Sequence, residues 1–268
     1  MSGDWPRSLL IVGCGNMGGA MLSGWLAAGM DPTRVTIVDP VLAEAPDRVA
    51  LLRDMPDAAF DAVMLGVKPQ MLGEIAPKVA PLAGIDTIVF SILAGVELAS
   101  LADRFPDAGA VVRIMPNLSA AIGKSPVALA ARGLDEAQRS AVISMMAPLG
   151  TPEWIEESQF DLVTALAGSG PAFVYRFIDA LSQGAAGLGL DPAQAQRLAV
   201  ATVEGAALLA SASPDAPGEL ARRVASPGGT TKAGLDVLDE SGALASLVES
   251  TLRAARDRSE ELAREARK

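Results

Sequence analysis

Hydrophobic positions divide the chain into two halves with different periods. In the first half, short apolar runs recur at Leu9–Val12, Val35–Val38, Ala62–Gly66, Thr87–Ser91 and Ala110–Ile114, each followed by a turn or by helix-spaced residues. Short runs of this kind, followed by a turn or helix, read as strands. Strands alternating with helices predict an α/β fold, a doubly wound parallel sheet with its ligand beyond the strand C-terminal ends. The segments "GVKPQ", "SILAG" and "RIMPN" fall at that edge.

From about Phe160 the strand signals stop, and alanine, leucine and glycine take over at helical spacing. One helix is predicted to start at Pro171, and another after Asp191 and Pro192, an N-cap followed by a first-turn proline. Both are apolar or small around most of their circumference, so they need cover on most sides. A single subunit has too little surface for that, and an intertwined homodimer is expected to supply it. A last helix from Leu244 to about Ala266 keeps Leu244, Leu247, Val248, Leu252, Ala255 and Leu262 on one side, an ordinary amphipathic pattern. The expected organisation is a dinucleotide-binding Rossmann domain over 1–158, followed by an all-helical substrate-binding and dimerisation domain over 159–268.

The first strand enters "GCGNMGGAMLSGWLAAG" at Gly13, where Gly13, Gly15 and Gly18 fit G-x-G-x-x-G and Met17, Met21, Leu22, Trp25 and Leu26 follow at helical spacing. Strand, glycine turn and helix stand in the order a dinucleotide site requires: the glycines allow the turn, the approach of pyrophosphate and the packing of helix on strand. The second strand ends in Asp39, where an acid binds the adenosine ribose 2′-OH and repels a 2′-phosphate. Asp39 therefore favours NADH over NADPH. Its other reading is a cap on the segment that follows. Lys68 either faces the cofactor or is solvated on its loop. Asn117 is expected to turn its amide to the nicotinamide carboxamide, the alternative being a bond to neighbouring backbone.

Composition removes whole classes of chemistry. The 268 residues include no histidine and one cysteine, Cys14. Histidine-dependent nucleophiles, general acids and metal sites are thereby excluded, and no metal is expected. What remains is cofactor chemistry assisted by hydroxyls, carboxylates, a few lysines and backbone. A formal net charge of −10 offers no face to a nucleic acid. One cysteine makes no internal disulfide, no long apolar run predicts a membrane span, and the start of the chain lacks a signal-type pattern, so a cytoplasmic protein is expected.

The helical half is broken at "RRVASPGGTTKAGLDVL". Ser226-Pro227-Gly228-Gly229-Thr230-Thr231 precedes renewed helical periodicity, which puts glycines and free N–H donors at a helix start, an anion-binding arrangement. Three hydroxyls add donors without histidine. One cap residue would satisfy the helix, and six polar or flexible residues in a row read as a cradle for a small carboxylate.

Taken together, "GCGNMG", "VKPQ", "SILAGV", "RIMPN", "TALAGSGPAFVY" and above all "VASPGGTTKAGL" resemble the pyrroline-5-carboxylate reductase family over essentially the whole chain. The resemblance implies NADPH- or NADH-dependent reduction of the imine of 1-pyrroline-5-carboxylate to L-proline, the last step of proline biosynthesis. It also implies an interlocked homodimer, with dimers joined into decamers in many members. Cofactor contacts are implied at Gly13, Gly15, Asn16, Met17, Gly18, Asp39, Val67, Lys68, Pro69, Ala94 and Asn117. Ser226, Gly229 and Thr230 would receive the substrate carboxylate, the Thr231 hydroxyl would reach the ring nitrogen as the catalytic group, and Glu157 matches an acidic position near the substrate. The chain departs from the family where the stretch between Asp39 and Lys68 is short, implying a trimmed third strand and helix, and where Pro214-Asp215 stands near a frequent glutamate.

Two other classes compete. A β-hydroxyacid dehydrogenase would need a catalytic lysine in the helical half, where Lys232 and the terminal Lys268 are the only lysines; a reductase of another cyclic imine would share the same carboxylate cradle. A non-catalytic dinucleotide sensor would carry the glycine loop without the cradle.

Overall fold

The computed structural model describes residues 5–266. Eight strands, β1 (Leu9–Val12), β2 (Val35–Val38), β3 (Ala50–Leu52), β4 (Ala62–Leu65), β5 (Ile88–Ser91), β6 (Ala110–Met115), β7 (Ser125–Arg132) and β8 (Gly150–Trp154), form one sheet in the order β3-β2-β1-β4-β5-β6-β7-β8. The helices α1 (Asn16–Ala27), α2 (Leu72–Val79), α3 (Leu98–Arg104) and α4 (Glu136–Met146) lie among them in sequence. The order reverses between β1 and β4, which creates the crevice where doubly wound folds bind ligands.

Why the strands read as unbroken apolar runs is visible in β1. Leu9 and Ile11 join Met21, Leu22 and Trp25 of α1 and Val142, Met145 and Met146 of α4. The alternate residues, Leu10 and Val12, join Leu72, Ala76 and Val79 of α2 and Leu98 and Leu101 of α3. Both faces are core, so period-two alternation has no polar partner to reveal it. The buried Trp25 indole meets its hydrogen-bonding need by donating to the Met145 carbonyl at 2.8 Å.

Two features differ from the sequence expectation. The sheet is not wholly parallel, because β6 and β7 pair antiparallel. The segment joining them holds only the short 3-10 turn Leu118–Ile122 and Gly123 at φ 66°, too little chain for a helical crossover. Strands β7 and β8 were also not expected: β8 reads Gly-Thr-Pro-Glu-Trp, and its proline and glutamate are edge-strand residues that conceal it from a search for apolar runs. The trimming between Asp39 and Lys68 is real, since β3 spans three residues and no helix occurs between β2 and β4.

The described residues pack as two compact units, 5–168 with 255–266, and 169–254. The second is entirely helical, with α6 (Gly170–Gly187), α7 (Pro192–Ala212), α8 (Pro217–Val224), α9 (Thr230–Asp239) and the start of α10 (Ala243–Ala266). The short α5 (Phe160–Val163) and a π-helical turn, Thr164–Gly168, precede it in the first unit. Within the second unit α6 packs along α7. Its only buried hydrophobic side chains are Ala195 and Ala199, while Tyr175, Leu188, Leu209 and Val237 are each at least two-thirds exposed. No helix of the described residues is long and apolar enough to cross a membrane.

Candidate active site

The first cluster of predicted residues gathers at the C-terminal ends of β1, β2, β4 and β5. Gly13 leaves β1 with φ 82°, a conformation costly for any residue with a Cβ, and its N–H donates to the Val38 carbonyl at 2.9 Å. A Cβ at Gly13 would lie 2.7 Å from Val67 Cγ1, and one at Gly66 would lie 2.3 Å from the Gly13 carbonyl oxygen. The turns after β1 and β4 are therefore in backbone contact, which requires glycine on both. Gly18 packs next, its hypothetical Cβ 3.2 Å from the same carbonyl.

Gly15 differs from these three. It is the N-cap of α1, gives the helix no side-chain cap, and has nothing within 4 Å of where a Cβ would stand. Open space therefore faces the start of a helix whose first N–H groups lack an intrahelical acceptor and whose dipole favours an anion. Asn16 and Met17 begin that helix. This is the fit a pyrophosphate requires.

Asp39 is buried and turned inward. Its Oδ2 accepts a hydrogen bond from the Cys14 N–H at 2.9 Å, and its Oδ1 accepts from the N–H groups of Val41 at 2.9 Å and Leu42 at 3.0 Å. Burial alone would raise the carboxyl pKa. The donors from Cys14, Val41 and Leu42, with the nearby Arg53 guanidinium, outweigh it and hold the group below its ordinary value. Arg53 Nη1 itself donates to the carbonyls of Asp39 and Leu42, both at 2.7 Å. The capping role and the position at the end of β2 are thus combined in one residue. Beside it, burial and the Asp39 charge push the Cys14 thiol up to about 11.

Lys68 is exposed, and its backbone opens the 3-10 turn Pro69–Met71. Pro69 and Ala94 line one cavity of about 600 Å³ with Gln70, Gly95 and Glu97.

The Asn117 and Glu157 side chains both have bonding partners within the protein. The Asn117 side chain is buried: its Nδ2 donates to the Ala167 carbonyl at 2.9 Å, and its Oδ1 accepts from the Ser119 N–H at 2.9 Å and from the Ser119 hydroxyl. The amide caps the 3-10 turn after β6 and pins the π-helical turn, which is the backbone-bonding alternative of the sequence reading. Glu157 Oε1 accepts from the Leu98 N–H at 2.7 Å and from Arg113 Nη1 at 2.8 Å. It serves as a remote cap for α3 and as the counter-charge of a buried guanidinium. Arg113, which sequence reasoning passed over, lies 4.0 Å over the Phe160 ring and leaves its Nε without a partner. Its signal was available: one arginine inside the otherwise apolar "AVVRIM".

The second cluster belongs to the helical unit. Gly229 is the N-cap of α9 and supplies no side-chain cap, and its N–H donates to the Ser226 carbonyl at 3.0 Å. The Ser226 hydroxyl folds over it so closely that a Cβ on Gly229 would stand 2.5 Å from the Ser226 Oγ. Ser226, Thr230 and Thr231 are exposed at this uncapped helix start. Lys232 pairs with Asp236 and Asp215 with Arg223, so neither crowds it with a free charge.

Both halves of the chain have counterparts among known proteins. Residues 157–262 match the family model described as pyrroline-5-carboxylate reductase dimerisation, and residues 8–95 match that described as NADP oxidoreductase, coenzyme F420-dependent. The pyrroline-5-carboxylate reductase of Pseudomonas aeruginosa is 35% identical over 96% of this chain and 97% of its own length. That of Methanosarcina acetivorans is 33% identical over 94% of this chain and 96% of its own. The solved pyrroline-5-carboxylate reductase of Coxiella burnetii superposes with a TM-score of 0.87 at 30% identity, covering 96% of this chain and 98% of the other. With likeness of this extent in sequence and in fold, the chain belongs to the pyrroline-5-carboxylate reductase family.

Proposed function

We propose that this protein reduces the C=N bond of 1-pyrroline-5-carboxylate to give L-proline, using a reduced nicotinamide dinucleotide. The observation that carries the proposal is the presence, in one histidine-free chain, of two helix starts left uncapped behind glycine, α1 and α9. Each is built to hold an anion. Family membership supplies the reaction to which such a pair belongs.

In this reading residues 1–158 are the dinucleotide domain and 159–268 the substrate and dimerisation domain. Gly13, Gly15, Asn16, Met17 and Gly18 bind the pyrophosphate, with Val67, Lys68, Pro69 and Ala94 lining the same sheet edge. The cofactor supplies hydride to the imine carbon. The backbone N–H groups at the start of α9 and the hydroxyls of Ser226 and Thr230 hold the substrate carboxylate, which fixes the ring in place. The Thr231 hydroxyl hydrogen-bonds the ring nitrogen and holds its proton there, which keeps the C=N electrophilic. Orientation of two bound reactants carries most of the rate enhancement, and no strong base is required.

NADH is the preferred cofactor in this reading. Asp39 is ionised at the end of β2, where the negative charge of a 2′-phosphate would meet it. The apolar side chains exposed on the helical unit support a homodimer; assembly of such dimers into decamers is a further step of the same reading, and the cytoplasm is the compartment it assigns.

The test is the loss of reduced nicotinamide absorbance when purified protein meets 1-pyrroline-5-carboxylate with NADH or, separately, NADPH. Oxidation of NADH at the higher kcat/KM is the expected result. Better use of NADPH overturns the role given to Asp39, and no oxidation of either by folded protein overturns the reductase.

A further inference from the structure

The loop between β5 and α3, residues 92–97, carries Ala94 at the proposed dinucleotide edge, and it is fixed from two directions. At its far end Glu97 provides no side-chain cap for α3, and the Leu98 N–H donates instead to Glu157 Oε1, across the unit, at 2.7 Å. Glu157 is held in turn by Arg113 Nη1 at 2.8 Å, and Arg113, with only 7% of its side chain exposed, stacks on Phe160. In its middle the loop turns at Gly95, with φ 75°, and a Cβ there would stand 2.9 Å from Ala263 Cα near the end of α10. The same stretch of α10 reaches back to the start of α5, where the Ser259 hydroxyl donates to Asp161 Oδ1 at 2.7 Å, one residue beyond Phe160. The contacts close a ring: loop, Glu157, Arg113, Phe160 with Asp161, Ser259 with Ala263, and the loop again.

We propose that Arg113 and Glu157 are positioning residues that set the loop 92–97 against the bound dinucleotide, with the end of α10 as the second fixed point. A charged pair in partly buried surroundings suits this task. The carboxylate bonds the helix N–H and the guanidinium from one oxygen, so a shift of either partner moves the loop. The inference rests on the reading that residues 8–95 bind a nicotinamide dinucleotide at this sheet edge.

Dinucleotide affinity, read from the fluorescence of bound NADH or NADPH without turnover, tests it. Glu157→Ala is expected to weaken the dinucleotide Kd about tenfold, as loss of a charge-assisted hydrogen bond implies, and to speed hydrogen exchange at the Leu98 amide. At saturating dinucleotide the KM for 1-pyrroline-5-carboxylate should stay at its wild-type value. Glu157→Gln keeps an acceptor for the Leu98 N–H and should recover part of the affinity. Gly95→Ala, which presses on Ala263 from the other side of the loop, should reproduce the loss. If Glu157→Ala does not fold, the glutamine and Gly95 variants carry the same comparison. An unchanged dinucleotide Kd in these variants, or a raised substrate KM in place of a weakened Kd, overturns the proposal. Wild-type protein that binds dinucleotide without reducing the substrate overturns the reductase and leaves this test intact, whereas wild-type protein that binds no dinucleotide overturns both.

Discussion

The Asp39 carboxylate accepts the Cys14 N–H at 2.9 Å, which ties the end of β2 to the glycine turn after β1. With the N–H groups of Val41 and Leu42 also bound, Asp39→Asn is expected to cost about 1–3 kcal/mol, because an amide offers one acceptor oxygen where three donors wait. The folded-state pKa lies below the ordinary value, so this contribution is fully present above the unfolded pKa of about 4 and is lost as pH falls through the folded value. Urea unfolding of both proteins should show a constant gap at neutral pH that closes in acid. A gap that widens on acidification would contradict this.

Cys14 should be inert in the native protein. Its thiol is buried and its pKa is pushed up to about 11, so almost no thiolate is present at mildly alkaline pH. A thiol reagent should label it only at the rate of unfolding, and rapid labelling of folded protein would show the glycine turn to be open.

The glycines should separate by function. Gly66→Ala drives a methyl group to 2.3 Å from the Gly13 carbonyl and is expected to destabilise the protein by about 1–3 kcal/mol or prevent folding. Gly15→Ala meets nothing and should leave thermal stability within about 1 kcal/mol of wild type. It should still weaken dinucleotide binding at least about tenfold, because the methyl occupies the space the pyrophosphate needs. Paired melting curves and dinucleotide titrations check both.

Leu209, 72% exposed on α7, should be a subunit contact. Leu209→Glu places a charge in a surface that a second copy would cover. Sedimentation should show the variant shifted to smaller species, and the wild-type melting temperature should rise with protein concentration. A variant that sediments as wild type removes Leu209 from the interface.

Thr231→Ala is expected to lower kcat by about tenfold to a thousandfold, with Thr231→Ser retaining most activity, since a hydroxyl at the imine nitrogen is the proposed catalytic group. A threonine hydroxyl does not titrate near neutral pH, so an inflection of kcat/KM in that range does not originate at Thr231. The variant should therefore keep the wild-type pH profile at reduced amplitude, and a moved inflection would point to a different proton donor.

Local sequence determined a good deal. The positions of β1, β2, β4, β5 and β6, the glycine turn and the start of α9 all follow from short-range patterns, because backbone geometry and a doubly buried strand leave their mark within a few residues. The missing histidine restricted the chemistry before any fold was known. Tertiary structure alone decided the rest. Whether Asp39 faces outward or caps, whether Asn117 reaches out or binds Ala167, and whether Glu157 is free or holds Leu98 depend on partners 25, 50 and 59 positions away. β8 shows the same limit, since an edge strand is defined by the neighbour it pairs with and its own composition argues against it. A polar side chain's role is set by the donors and charges folding brings beside it, and sequence spacing does not encode that meeting.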